Sequence, residues 1–137
     1  MAFLGIFFSI VLGGWIFPWW WPAVAAYAFG FWLPKKPSSA LAAGFFGSAL
    51  AWFFWAFLAD IRNHHILSAR MAKVFNLPTL NHLPPLPLKF QALLLSHLPS
   101  YFIILLTALI GGLMGVIAAR AGFSLRTYLR PKFSKPV

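Results

Sequence analysis

Residues 40–59 read ALAAGFFGSALAWFFWAFLA, a stretch with no charged side chain and no proline. A helix rises about 1.5 Å per residue, so a stretch of this length covers the roughly 30 Å hydrocarbon core of a bilayer. Small residues recur every fourth position, at Ala40, Gly44 and Ser48, and give the helix a flat side that another helix can approach closely. We therefore predict a transmembrane helix over residues 40–60.

The composition of the whole chain favours the same class of protein. Of its 137 residues, 61% are hydrophobic and 9% are charged, and Asp60 is the single acidic residue against eleven lysines and arginines. A soluble domain carries about a quarter charged residues of both signs. We therefore expect a single all-α integral membrane domain over residues 1–137. Nucleic acid is not an expected partner, because the cations lie at the edges of apolar blocks rather than on a solvated surface.

A second apolar stretch follows Pro99 and ends at Arg120, and it predicts the second transmembrane helix, residues 100–120. Proline at position 99 is expected to cut this helix from the residues before it. Gly111 and Gly115 form a GxxxG pair, a spacing that lets two backbones pack within van der Waals range. We predict a packing role for both glycines and leave open whether the partner helix belongs to this chain or to another subunit.

Residues 2–33 form an apolar block without charge that is interrupted by Pro18 and Pro22. Because proline removes a backbone donor inside a helix, we expect two helical pieces, roughly residues 2–17 and 22–33. One arrangement that fits is a tilted helix kinked at the prolines. The other, which we favour, is a re-entrant or short helical hairpin with the tryptophan cluster at its tip.

The remaining segments connect these blocks. Ser38 or Ser39 is expected to cap the helix that follows. Residues 61–76 predict an amphipathic helix that lies either in the membrane interface or on the rim of the helical bundle. Residues 77–91 predict a proline-rich connector, and residues 121–137 a basic tail.

Asp60, His64 and His65 are the one dense cluster of titratable side chains. On a continuous helix Asp60 and His64 lie one turn apart, where a carboxylate and an imidazole could relay a proton or help to hold a metal. The alternative, which we favour, is that Asp60 marks the membrane boundary or pairs with a nearby cation. Since the chain has no cysteine and no recognisable nucleophile with its base, we predict no catalytic, metal or cofactor site.

The distribution of cations predicts the orientation. Four lie between the two predicted spans and seven lie on the other side. The positive-inside rule therefore predicts that the C-terminus is cytoplasmic. We expect the membrane to be a plasma or inner membrane. The predicted contacts to anionic phospholipid headgroups are Lys35, Lys36, Arg120, Arg126 and Arg130.

Three functions remain open from the sequence. The first is a non-enzymatic interaction or accessory subunit of a membrane complex, with a protein partner or a second copy of the chain. The second is a small homo-oligomeric channel or transporter built around the broken block of residues 2–33. The third is a membrane enzyme that uses Asp60 and His64.

Overall fold

The computed structural model describes residues 2–64, 66, 70, 71, 74 and 88–133, and side chains for all of these except 88–100 and 130–133. Within these ranges it contains four α-helices and no strand: α1 (Ala2–Gly13), α2 (Trp21–Trp32), α3 (Pro37–Arg62) and α4 (Leu88–Phe133). By length and composition, two helical segments are able to cross a membrane: α3 and the Tyr101–Leu129 part of α4. The predicted all-helical fold class is therefore confirmed for the described residues.

The first two helices form an antiparallel hairpin. The ring of Phe29 lies over Gly5 and the indole of Trp21 lies over Gly13, so the start of α1 faces the end of α2. The indole N–H of Trp21 also donates a hydrogen bond to the Ser9 carbonyl at 2.9 Å. The observed helices therefore agree with the hairpin arrangement, although α1 ends at Gly13 rather than near residue 17.

Helices α3 and α4 run antiparallel and make the most extensive contact in the fold. Gly44 faces Gly115 and Ala119. Further along α3, Trp52 lies against Gly111, which precedes Gly115 by one turn of α4. Helix α1 packs on α3 and α2, and α2 packs on α4, so that α1 and α4 occupy opposite corners of the described bundle. One buried hydrophobic cluster joins α1, α2 and α3 and comprises Ile6, Ile10, Ala25, Ala26, Ala43 and Ala51.

Helix α3 is slightly longer than predicted and begins differently. Lys36 is its N-cap in an extended conformation (φ −127°, ψ 149°), Pro37 opens the first turn, and no side chain caps the helix. The predicted cap by Ser38 or Ser39 is wrong, because both serines lie inside the first turn. Proline suits the first helical position, where its missing N–H would have had no partner within the helix.

Helix α4 extends past the predicted residues 100–120 at both ends, to Leu88 and Phe133. The predicted break at Pro99 is wrong, since the backbone is helical on both sides of it. A proline inside a helix removes one hydrogen bond and bends the axis, and membrane helices tolerate this loss. Helix α4 thereby takes in residues 88–91 of the predicted connector and residues 121–133 of the predicted tail.

Two further predictions fall largely outside the described residues. Of the predicted amphipathic helix, residues 61 and 62 complete α3 and only isolated positions beyond residue 64 are described. The connector residues 77–87 and the chain end at residues 134–137 are not described.

Candidate functional site

The two predicted stripes of small residues face each other within the chain. A Cβ atom added at Gly44 would run into the Gly115 carbonyl and would lie 2.7 Å from the Cβ of Ala119. All five predicted packing residues are buried, namely Ala40, Gly44, Ser48, Gly111 and Gly115. Gly111 is covered by Trp52. The stripes are therefore occupied by the chain itself.

Two hydroxyl groups lie near the middle of the predicted spans, and they differ in their hydrogen bonding. Ser48 is 1% exposed, and its Oγ atom, which lies against Gly115, has no hydrogen-bond partner. Thr107 donates a hydrogen bond from Oγ1 to the Ile103 carbonyl one turn earlier at 2.9 Å. The Thr107 hydroxyl is thus satisfied within its own helix, whereas the Ser48 hydroxyl is enclosed in the contact between α3 and α4.

The Asp60 end of the bundle does not have the geometry that the sequence predicts. Helix α3 ends at Arg62, Asn63 is its C-cap, and His64 is exposed with a φ of 49°, in the left-handed region. The expectation of one continuous helix carrying Asp60 and His64 a turn apart is therefore wrong. Asp60 itself is 4% exposed in the last turn of α3 and makes contacts within the protein.

His65 lies outside the described residues, so its relation to Asp60 stays a prediction. In the part of the chain that the structure describes, no group of three or more metal-binding side chains comes together.

The opposite end of the bundle gathers positive charge. Because α3 and α4 are antiparallel, the turn that precedes α3 lies beside the C-terminal third of α4. This end therefore carries four of the five cations that the sequence predicts to contact anionic headgroups: Lys35, Lys36, Arg120 and Arg126. The fifth, Arg130, lies in the last described turns of α4, and its side chain is not described. We call these four residues the basic end.

Arg126 ties α4 to the end of α2. Its Nη1 atom donates hydrogen bonds to the carbonyls of Trp32 at 3.2 Å and of Pro34 at 3.0 Å. The last carbonyls of a helix have no partner within it, and a cation placed there also complements the negative end of the helix dipole. Arg126 therefore holds the α2–α3 turn in place on α4.

A cavity of about 420 Å³ opens beside this contact and is lined by Pro34, Lys35, Phe123, Arg126 and Thr127. Among the described residues of its lining are two cations and no acidic side chain. Arg120 lies just outside it, with its guanidinium carbon 6.0 Å from the centre of the Phe123 ring. Sequence reasoning found the cations but missed the cavity, because the contact between Arg126 and Pro34 spans 92 residues and has no local signature.

The sides of the bundle are apolar and exposed. Large hydrophobic side chains are exposed along the outer faces of the helices and in the α1–α2 turn. Examples are Ile16 at 79%, Trp19 at 85% and Ile117 at 68% exposure. No family model, curated protein or solved structure matches this chain. Function has therefore to be inferred from the basic end, the occupied stripes and the apolar sides.

Proposed function

We propose that this chain is a non-enzymatic accessory subunit of a membrane complex, and that Lys36 and Arg120 of its basic end bind an acidic surface of a partner membrane protein. The apolar sides support membrane insertion, because exposed side chains such as Leu105 and Ile117 would be costly to hydrate but suit a hydrocarbon solvent. The tryptophans of the α1–α2 turn suit the headgroup layer, where amphipathic rings are enriched.

The observation that carries the proposal is the separation of charge along the bundle. Lys36 and Arg120 are exposed at the basic end, whereas Asp60, the single acidic side chain of the sequence, is buried near the other end of α3. At about 1.5 Å per residue, the 24 positions between Lys36 and Asp60 correspond to about 36 Å. An ion pair needs its charged atoms within about 4 Å of each other, so Asp60 cannot neutralise these cations. An acidic partner would supply the missing counter-charge.

The occupied stripes support a partner that binds at the basic end instead of within the seam between α3 and α4. Gly44 and Gly115 already lie against each other, which leaves no small-residue surface there for a second protein. The positive-inside rule places the basic end in the cytoplasm, in a plasma or inner membrane. Protease accessibility of a tag after Val137 tests this orientation, and protection of the tag in intact cells would support it.

Co-purification at native expression level tests the proposed function. The double variant Lys36→Gln, Arg120→Gln is compared with Arg62→Gln, which removes an exposed cation from the other end of α3. Each exposed ion pair contributes about 0.2–1 kcal/mol, so we expect recovery of the partner to fall about fivefold with the double variant. Recovery with Arg62→Gln should match the original chain. Isolation of a symmetric homo-oligomer that conducts ions in liposomes, with no second protein, would contradict the proposal.

A further inference from the structure

We infer that the cavity between the α2–α3 turn and α4 is a binding site for the phosphate group of one anionic phospholipid. This inference rests on the membrane insertion included in the proposed function and concerns different residues from those proposed to bind the protein partner. The site consists of Lys35 and Arg126, with Pro34, Phe123 and Thr127 completing the wall.

The charge of the cavity selects an anion. The described part of its lining contains two cations and no acid, and the single acidic side chain of the sequence is the distant Asp60. A zwitterionic headgroup would bring its own amine next to Lys35 and Arg126, which costs electrostatic energy. A phosphodiester without an amine or choline group therefore fits the lining better. The volume of about 420 Å³ is within the range of about 300–1,000 Å³ typical of small-ligand sites.

Arg126 is already held in the position that such a site needs. The two bonds to the Trp32 and Pro34 carbonyls use Nη1 alone, and a guanidinium carries five N–H donors in a fixed plane. Fixing the guanidinium in advance lowers the entropy cost of binding a phosphate oxygen with the remaining donors. Lys35 is exposed in the lining of the cavity and supplies a second donor on a flexible side chain.

The start of α3 adds to the positive potential. Helix α3 begins at Pro37, two residues after Lys35, and has no side-chain cap. Its first backbone bond runs from the Ala40 N–H to the Lys36 carbonyl, so the N–H groups of Ser38 and Ser39 lie ahead of that bond. The N-terminal end of a helix carries a partial positive charge that favours phosphate groups.

The surroundings of the cavity favour a lipid over free phosphate. Trp32 and Leu33, at the end of α2, are exposed beside it. The cavity thus lies where the apolar sides of the bundle give way to the polar turn at residues 34–36. A phospholipid bound there would place its phosphate between Lys35 and Arg126 and its acyl chains along apolar surface that free phosphate would leave bare.

Native mass spectrometry of the full chain tests the inference. The protein is reconstituted in an equimolar mixture of phosphatidylglycerol and phosphatidylcholine, extracted again in mild detergent, and its retained lipid is counted. We expect one retained phosphatidylglycerol in preference to phosphatidylcholine. Lys35→Gln should lower this retention about fivefold, since one cation near an anionic headgroup contributes about that factor. Lys36→Gln removes the same charge from the neighbouring residue outside the cavity and should leave retention unchanged.

Three outcomes would overturn the inference. One is an equal loss of lipid with Lys35→Gln and Lys36→Gln, which would indicate a diffuse electrostatic surface. Another is equal retention of both lipids by the original chain. The third is release of phosphatidylglycerol by inorganic phosphate, which would identify a site for the free anion. Arg126→Lys keeps the charge, and its thermal unfolding reports separately on the bond to the α2–α3 turn.

The two proposals fail separately. Loss of lipid preference with the partner still recovered would overturn only the phospholipid site. Preserved lipid preference with no partner recovered would overturn only the accessory-subunit function.

Discussion

The seam between α3 and α4 and the hairpin of α1 and α2 use glycine in opposite ways. In the seam, Gly44 meets Gly115 and Ala119, and backbone lies against backbone. In the hairpin, Gly5 and Gly13 lie beneath the large rings of Phe29 and Trp21. In lipid, apolar surface gains little by leaving its solvent, so helices associate through close packing and hydrogen bonds. At the Gly44–Gly115 contact the close packing comes from the absence of side chains, whereas in the hairpin it comes from rings that fill the space over each glycine.

This difference predicts which kind of substitution destabilises each contact. An atom added at Gly44 or Gly115 meets backbone, which cannot rotate away. The hairpin instead depends on particular rings and on one indole hydrogen bond, so it should be sensitive to what is removed from Trp21.

Gly44→Val should give the largest effect, because a Cβ alone already meets the Gly115 carbonyl and the Ala119 side chain. Overpacking of this kind costs about 1–3 kcal/mol and more when the neighbour is backbone, so we expect a loss of about 3 kcal/mol in the free energy of unfolding. Equilibrium unfolding in mixed micelles, followed by circular dichroism, measures it. Ala121→Val adds the same kind of bulk at an exposed position of α4 and should change little. Similar losses for the two variants would show that the seam is no tighter than the surface.

Trp21→Phe should have an intermediate effect and report on the hairpin. It keeps a ring over Gly13 and removes the 2.9 Å hydrogen bond from the indole to the Ser9 carbonyl. We expect a loss of about 1 kcal/mol by the same measurement, as for other single hydrogen bonds in proteins and membranes. Trp19→Phe is the matched control, since Trp19 is exposed in the α1–α2 turn. A loss for Trp19→Phe as large as for Trp21→Phe would remove the reason to assign the effect to that bond.

Ser48→Ala should give the smallest change in the free energy of unfolding, and it tests the role of the buried hydroxyl in the seam. The hydroxyl of Ser48 is buried without a partner, so its removal deletes an unsatisfied polar group. We expect the variant to be as stable as the original chain or more stable, by up to about 1 kcal/mol. Ser124→Ala, at an exposed position of α4, should be neutral. Destabilisation by Ser48→Ala would mean that the hydroxyl binds a group supplied by another molecule.

The apolar pattern of the sequence predicted where helices lie better than where they end. The helix predicted at residues 40–60 is observed as Pro37–Arg62, but the helix predicted at residues 100–120 is only part of the observed Leu88–Phe133. The error at Pro99 has a physical cause, since proline removes one hydrogen bond from a helix without having to end it. The helix end before His64 was missed for the converse reason. No glycine or proline marks it, and the turn there relies on a histidine in the left-handed region.

The candidate site was predictable only in its residue types. Lys35 and Arg126 were both chosen from the sequence as cations at the edge of an apolar block. Their assembly around one cavity depends on the antiparallel packing of α3 with α4 and on the carbonyls at the end of α2. Local sequence patterns carry no information about contacts of that separation.

The bond between Arg126 and the α2–α3 turn also sets an order of events during synthesis of the chain. The carbonyls of Trp32 and Pro34 receive a donor that lies 94 and 92 residues later in the sequence. At a rate of about 5–20 residues per second, those carbonyls emerge some 5–18 s before their partner. For that interval the end of α2 depends on water or on the insertion machinery for hydrogen bonds. The end of α2 is thus fixed to α4 late in synthesis, and a ribosome that stalls before Arg126 would leave the Trp32 and Pro34 carbonyls without this donor.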